Sequence, residues 1–405
     1  GVPRRVLGDL RRRPLRRGDV LPGRWRAGDD VLDRATGALE TMRKATRFMV
    51  EKVAYKGGYV WSYLPDFSRR WGEMEAFPTM IWVQPPGTGT VGHLFLDAYH
   101  ATGDEYYYDA ASRAADALIA IQNPAGGWNY LGDMAGEASL KKWYDTIGKN
   151  GWRLEEFHHY YGNATFDDAG TSEASQFLLR LYLERRARSL REPLERAVRF
   201  VLDSQYANGG WPQRFPRVDG GLHGRPDYTH QITFNDDVAG ENIKFLLMVY
   251  QTLGDERALA AIRKAMDIFI ATQQPAPQAG WGLQHDAQTL RPIGARTYEP
   301  DALTTHTTAT NIGQLLNFYE WTGEERFIAR VPEALAWLDS VRLADAPPRE
   351  IGPLRSIRLA VILDLVGIGG MGRVYRAEQT NLGRTVAVKI IHPHLVGEEN
   401  AAARF

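Results

Sequence analysis

The sequence contains no cysteine, which excludes disulfides, thiolate catalysis and cysteine-based zinc sites while leaving the compartment open. It also lacks any excess of charge. Its 49 Lys and Arg balance 49 Asp and Glu, so the basic surface that non-specific nucleic-acid binding requires is missing, and no nucleic-acid partner is expected. No apolar run approaches the length of a membrane span, so no membrane partner is expected either. What is present is a globular composition, 44% hydrophobic and 24% charged over 405 residues, with length for one large core or two to three domains. Eleven Trp and 18 Tyr are many. Flat aromatic faces suit pyranose rings, although most such side chains belong to cores.

The ends differ from the middle. Residues 1–27 carry Arg11, Arg12, Arg13, Arg16, Arg17, Arg24 and Arg26 with no apolar segment behind them, which is not a secretion signal as it stands. We read residues 1–45 as an Arg-rich leader and a first helix, 46–342 as the main domain, 343–358 as a Pro-containing linker and 359–405 as a separate C-terminal piece.

Within the main domain one unit recurs: an apolar helix, a short Gly-containing turn, a second amphipathic helix, then Gln and a Gly-Trp turn. The first copy runs from Thr90 through Gly103-Asp104 to Gln122 and Gly126-Gly127-Trp128. The second runs from Asp167 to Gln205 and Gly209-Gly210-Trp211, and the third from Asp236 through Gly254-Asp255 to Gln273 and Gly280-Trp281. A fourth starts near Thr307, turns at Gly323 and stops near Trp337. Repeated helical pairs of this length mean stacked hairpins. The long, aromatic and polar loops between them favour closure over an open solenoid, so the expected fold is all-α, an (α/α) toroid with its loops gathered at one end.

Two of those loops carry acidic doublets, Phe166-Asp167-Asp168 and Phe234-Asn235-Asp236-Asp237, each followed at once by a helical apolar pattern. Asp and Asn at a helix start are ordinary N-caps, and that reading stands for Asp168 and Asp237. Two doublets at matching points of a repeat also place four carboxylates around one opening, as a cation or sugar site requires. A third loop, 281–306, has little periodicity but concentrates His285, Asp286, Arg291, Arg296, Tyr298, Glu299 and His306. Long loops rich in charge and aromatics are commonly functional.

Four stretches carry a resemblance: Ala164–Thr171, Gly209–Pro216 (Gly-Gly-Trp-Pro-Gln-Arg-Phe-Pro), Ile232–Asp236 and Gly294–Pro300 (Gly-Ala-Arg-Thr-Tyr-Glu-Pro). Through them residues from about 55 to 340 resemble the family 10 polysaccharide lyases, which are pectate lyases. The resemblance implies an (α/α) toroid, a calcium cofactor, β-elimination of polygalacturonate, and a secreted or periplasmic location; a monomer is expected. It points to Arg296 as the catalytic base. Arginine normally keeps its proton, so a base role needs a depressed pKa, and stabilisation of an enolate-like intermediate is the other role open to it. A structural pair with Glu299 is a third possibility.

The chemistry suits the residue types. The proton on C5 of a uronate becomes acidic only when the adjacent carboxylate is neutralised, and Ca²⁺ held by carboxylates does that. Asp167 and Asp236 are the first metal candidates, with Asp237 and Asp168 beside them; Asp168 is also a substrate candidate. Arg214, Arg291, His285 and Tyr298 are candidates to meet uronates, and Trp211 or Trp128 to stack on sugars, against a reading of the Gly-Trp turns as packing anchors. The family has Asn where Asp168 stands, so charge is added here.

The C-terminal piece reads Leu365-Val-Gly-Ile-Gly-Gly-Met-Gly-Arg-Val-Tyr-Arg376, followed by Arg384-Thr-Val-Ala-Val-Lys-Ile-Ile-His392. It resembles the start of a bacterial serine/threonine protein kinase. Gly367, Gly369 and Gly372 match the glycine-rich loop, and Lys389 matches the strand lysine. No catalytic-loop or magnesium-binding Asp follows before Phe405, so a short β-rich fragment without phosphoryl transfer is expected.

Other activities fit the same toroid: a glycoside hydrolase using two Asp, a terpene cyclase suggested by the Gln-Gly-Trp repeats though lacking an Asp-x-Asp-Asp string, or a non-catalytic uronate-binding protein.

Overall fold

The computed structural model describes residues 29–152, 154–218 and 227–342, together with the backbone of three C-terminal strands; for residues 29–36 it describes the backbone alone. The Arg-rich run and the expected linker lie outside the described residues. The chain divides into two compact units, Gly1–Ser340 and Val341–Phe405.

Ten α-helices are described in the first unit. α1 (Asp29–Phe48) runs past the boundary drawn at residue 45 and continues into a π-helical turn, Met49–Val53. Four helical hairpins follow: α2 (Thr88–Thr102) with α3 (Glu105–Ala120), α5 (Gly170–Arg185) with α6 (Arg188–Asp203), α7 (Val238–Leu253) with α8 (Glu256–Thr272), and α9 (Thr305–Thr322) with α10 (Val331–Ser340). α4 (Glu137–Thr146) is an insertion after the first hairpin. Gly103, Gly254 and Gly323 end their helices in the left-handed conformation that glycine adopts without strain. Asp104 and Asp255 then cap the return helices through Tyr106 N–H and Arg257 N–H. α2 packs on α5 and α5 on α7, while α9 follows against α8; this is the two-layer arrangement of an (α/α) toroid. No helix among the described residues is long and apolar enough to cross a membrane.

The repeated Gln and Gly-Trp have one mechanical meaning. Gln122 Nε2 donates to Gly126 O (2.7 Å) and to Pro193 O of the next hairpin (3.0 Å). Gln205 does the same to Gly209 O and Ala261 O, and Gln273 to Ala279 O and Arg330 O. Each glutamine therefore staples its own turn to the following return helix. Gly126 and Gly209 have positive φ, and a Cβ on either would stand 2.2 or 2.1 Å from the backbone oxygen of Arg196 or Lys264, so the turn must be glycine. The tryptophans then point inward. Trp128, Trp211 and Trp281 are fully buried, and their indole N–H groups donate to Leu118 O, Val201 O and Phe269 O.

Two-residue strands lead into the hairpins that begin at α5 and α7. Ala164–Thr165 pairs with Arg214–Phe215, and Ile232–Thr233 with Gln284–His285, which pairs in turn with Pro292–Ile293. These small ladders bring the acidic doublets, the strand after Trp211 and the 281–306 loop to one end of the hairpin array, where α5 and α7 begin.

In the second unit three strands form an antiparallel meander, Ala360–Gly369, Gly372–Gln379 and Arg384–Ile391, with Gly369 opposite Gly372 and Val374 opposite Lys389. Gly367 and Gly369 thus lie on the first strand, Gly372 opens the second, and Lys389 lies on the third.

Candidate active site

The two doublets occupy the same local structure, a short 3₁₀ turn leading into an inner helix. Asp168 (φ 50°, ψ 31°) and Asp236 (φ 50°, ψ 28°) are both left-handed, and so are the residues that follow, Ala169 and Asp237. The correspondence is therefore one residue away from the repeat alignment made on Asp167 and Asp236: Asp168 matches Asp236, and Asp167 matches Asn235. Two consecutive left-handed non-glycine residues cost about 1–3 kcal/mol each, which the fold retains at both places. Neither doublet caps its helix as expected. Ala169 stands at the N-cap of α5, and Asp237, at the N-cap of α7, makes no regular capping bond.

Asp167 is fully buried at the centre. Its Oδ2 accepts from Tyr130 Oη (2.6 Å), from Gln213 Nε2 (2.7 Å) and from the Arg296 guanidinium. Burial works against its charge, but Arg296, Tyr130, Asp236 and Gln213 together hold its pKa below the ordinary carboxylate value. Among the described residues no N–H or alcohol donor meets its Oδ1, and the Asp236 carboxyl lies within hydrogen-bonding reach of the Asp167 carboxylate. Burial and the neighbouring Asp167 charge push Asp236 up to about 8. Burial, then Asp167, Asp236 and Glu73, push Asp168 well above its usual range.

Asp168 is held by a residue that the sequence did not single out. Gln84 Nε2 donates to Asp168 Oδ2 (2.8 Å) and to Glu73 Oε2 (3.0 Å), while its Oε1 accepts from Trp82 Nε1 (2.9 Å). An indole N–H can only donate, so the orientation of the amide is fixed and its NH₂ must face the two acids.

Arg296 is buried, with Asp167, Glu156 and Glu299 around its guanidinium. Glu299 accepts both from Arg296 Nη1 (3.2 Å) and from its backbone N–H (3.0 Å). Burial disfavours the Arg296 charge, but these carboxylates outweigh it and raise the pKa well above that of a free arginine. Glu156 Oε2 lies 3.5 Å from Arg296 Nε without a regular hydrogen bond, and burial pushes this carboxyl up to about 7. Tyr298 is half exposed at the rim, close enough to feel the Arg296 charge.

Arg214 is buried beside this cluster, its Nη1 donating to Asn129 Oδ1 (3.2 Å) and Asn163 Oδ1 (3.3 Å). Its guanidinium faces the rings of Tyr161 (4.5 Å) and Tyr130 (5.2 Å).

Other expected residues fall elsewhere. Trp211 is core, so it offers no face to a sugar. Its replacement by alanine is expected to destabilise the protein by about 3–5 kcal/mol, seen as a lowered melting temperature, with no change in KM for the fraction that stays folded. His285 is fully buried, with Nε2 accepting from Gly282 N–H (3.0 Å) and Nδ1 donating to Leu290 O (2.9 Å). Burial lowers its pKa to about 4, so it is a neutral loop anchor and not a partner for uronate. Arg291 is exposed, and no described contact joins it to the cluster. Asp237 faces away from Arg296: its carboxylate accepts from Gln314 (3.1 Å), and burial with the Glu241 charge raises its pKa to about 7. It is not in the group around Asp167. The residues that sequence reading missed are Glu73, Gln84, Tyr130, Glu156 and Gln213. Of these only Gln213 carried a signal, as the last residue of the Gly-Gly-Trp-Pro-Gln string.

The site is thus a nest of carboxyls (Glu73, Glu156, Asp167, Asp168, Asp236 and Glu299) around one arginine, at the loop end of an (α/α) toroid. The pectic acid lyase family matches residues 141–352, just over half the chain. The chain belongs to that family and is a polysaccharide lyase. Among solved structures it is similar to the family 10 polysaccharide lyase from Cellvibrio cellulosa, at 21% identity over 62% of this chain and 72% of that one, with a TM-score of 0.43. A mutant of that lyase in complex with trigalacturonic acid is similar at 20% identity, over 62% and 71% of the two chains, with a TM-score of 0.41. An unsaturated glucuronyl hydrolase specific for heparin is similar at 14% identity over 78% and 68%, with a TM-score of 0.43. A serine/threonine-protein kinase from Myxococcus xanthus is 48% identical over 44 residues, which is 11% of this chain and 5% of that protein's length.

Proposed function

We propose that this chain cleaves de-esterified polygalacturonate by calcium-dependent β-elimination. The observation that carries the reading is the Arg296–Asp167–Asp236 cluster: one buried arginine inside a large excess of carboxyl groups. In the elimination the C5–H bond breaks and its proton passes to a base. The electron pair forms the C4=C5 double bond, the C4–O bond breaks, and the departing oxygen takes a proton.

Among the described residues no three His, Asp or Glu side chains are already converged as metal ligands. The donor set nonetheless fits a hard divalent cation: among the described residues no N–H or alcohol donor meets Asp167 Oδ1, Asp236 and Asp167 press together, and burial and mutual repulsion raise Asp168 and Asp236. Asp167, Asp236 and Asp168 would hold it. When bound, calcium would supply neutralisation of the uronate carboxylate and so acidify C5.

The chain's own residues hold and orient that site. Tyr130 and Gln213 fix Asp167, and Gln84 fixes Asp168 with Glu73. Arg296 keeps its proton in the ligand-free protein, so the role favoured here is to stabilise negative charge on the uronate as C5 loses its proton. To act as the base it would first have to shed that proton, which requires Asp167, Glu156 and Glu299 to be drawn to other partners.

Appearance of the ultraviolet-absorbing unsaturated product from polygalacturonate, abolished by chelator and restored by calcium, is the expected result. New reducing ends without that absorbance would move the reading to a hydrolase. Gln84→Ala is expected to lower kcat/KM on polygalacturonate about tenfold or more, because Asp168 loses its only described donor. It is also expected to destabilise the fold by about 1–3 kcal/mol, through the buried groups it leaves unpaired. Unchanged kinetics in a folded Gln84→Ala protein would remove Asp168 from the site.

A further inference from the structure

Arg214 and Arg296 are buried in the same region but in opposite electrostatic situations. Arg296 is surrounded by Asp167, Glu156 and Glu299. Arg214 has no carboxylate partner among the described residues; amide oxygens of Asn129 and Asn163 meet one of its nitrogens, and tyrosine rings meet its face. Its Nη2 is buried with no acceptor among the described residues. Tyr161, whose ring lies 4.5 Å from the Arg214 guanidinium, also has a buried hydroxyl with no partner.

These two orphans share a chemical demand. Both are donors, one carries a full positive charge, and neither nitrogen nor hydroxyl finds an acceptor among the described residues. A buried guanidinium without a counter-charge is a large penalty for the fold to retain, and an anionic acceptor that reaches it gains accordingly. A planar carboxylate matches the guanidinium fork and leaves an oxygen for the phenol.

The location fits a substrate group. Arg214 lies opposite Thr165 in the short ladder that leads into Asp167, and its neighbour Gln213 donates to Asp167. Tyr161 and Tyr228 form a small apolar cluster of their own with Ala295, the residue before Arg296. Burial raises the pKa of Tyr228, and Arg296 and Arg214 lie close enough to oppose that rise. The aromatic cover over Arg214 therefore adjoins the catalytic arginine.

We infer that Arg214, with Tyr161, is a receptor for a free uronate carboxylate and makes the site discriminate galacturonate units from their methyl esters. This rests on the lyase reading above. A methyl ester carries no charge and gives Arg214 no counter-ion, so the penalty of the buried cation persists in the esterified complex. The free acid removes it. Specificity of this kind arises because the wrong substrate leaves a buried group unpaired.

The test compares kcat/KM on polygalacturonate and on highly methyl-esterified pectin for wild type, Arg214→Gln, Arg214→Lys and Tyr161→Phe, alongside melting temperatures. Wild type is expected to favour the free acid by tenfold or more. Arg214→Gln is expected to lose most of that preference, chiefly through a raised KM on polygalacturonate, with a melting temperature equal to or above that of wild type. Arg214→Lys should recover part of the preference, and Tyr161→Phe should lose a smaller part. An acid-to-ester ratio in Arg214→Gln equal to that of wild type overturns the inference, as does a lowered melting temperature with the ratio intact, which would mean that Asn129, Asn163 and an internal water already satisfy Arg214. If wild type yields no unsaturated product, the lyase reading fails by itself. Calorimetric binding of trigalacturonate against its methyl ester then still reads Arg214, and equal affinity for the two would overturn its assignment.

Discussion

Arg296→Ala is expected to reduce turnover of polygalacturonate by about 10³ or more, larger than the loss of a single oxyanion donor, because among the described residues this side chain is the only cation in contact with Asp167. The structural consequence depends on pH. Breaking a buried ion pair by removing one partner costs about 3–5 kcal/mol, since the remaining charge is stranded. Here Asp167, Glu156 and Glu299 are all stranded together. Carboxyls relieve that by taking up protons, so the variant should melt close to wild type near pH 5 and well below it near pH 8. Arg296→Lys separates the possible roles. A lysine keeps a point charge but loses the fork that meets three carboxylates at once, so partial activity with an unshifted pH profile supports charge stabilisation. An activity that tracks lysine deprotonation supports proton abstraction. Near-normal rates in Arg296→Ala would remove this residue from catalysis.

The second large effect concerns stability and pH in the absence of divalent cations. Burial first, then neighbouring acids, raise Asp236 to about 8, and burial raises Glu156 to about 7. An acid with a raised folded pKa binds its proton more tightly in the native state than in the unfolded chain. The stability it lends is complete below the unfolded value and is lost as pH rises through the folded value. In chelator the melting temperature should therefore fall as pH increases from about 5 to about 8, the reverse of the usual salt-bridged Asp. Calcium should reverse the trend: its binding displaces those protons, so the stabilisation at a fixed concentration should be larger at pH 8 than at pH 5. A chelated protein that gains stability over this range, or calcium stabilisation independent of pH, would contradict the cation assignment to Asp167, Asp168 and Asp236.

The hairpins were legible because their signals are local. Helical periodicity, Gly103-Asp104 and Gly254-Asp255 turns, and the Gln to Gly-Trp spacing each specify a short piece of backbone, and the described helices start and stop within a few residues of those marks. The strings around Asp167 and Arg296 were legible for the same reason. What sequence could not convey is direction. Trp211 and His285 have the right chemistry for sugar and uronate, but their polar atoms are consumed by Val201 O, Gly282 N–H and Leu290 O. Asp237 stood beside Asp236 as a metal candidate, but successive left-handed residues turn one carboxyl toward Asp167 and the next toward Gln314. Glu73 and Gln84 arrive from a part of the chain far from Asp167 in sequence, and Glu156 from a short turn before it, with no repeat or motif to mark them; the packing of Trp82 against Trp143 and Phe157 helps bring those segments together.

The central claim is that this nest of carboxyls around Arg296 performs an elimination. Digestion of trigalacturonate in heavy-oxygen water, read by mass spectrometry, tests it most directly. Elimination adds no water across the broken linkage, so the product masses should sum to that of the substrate, one product should carry the C4=C5 unsaturation, and no heavy oxygen should enter at the cleavage point. Incorporation of one heavy oxygen per bond cleaved, with no unsaturated product, would contradict the account.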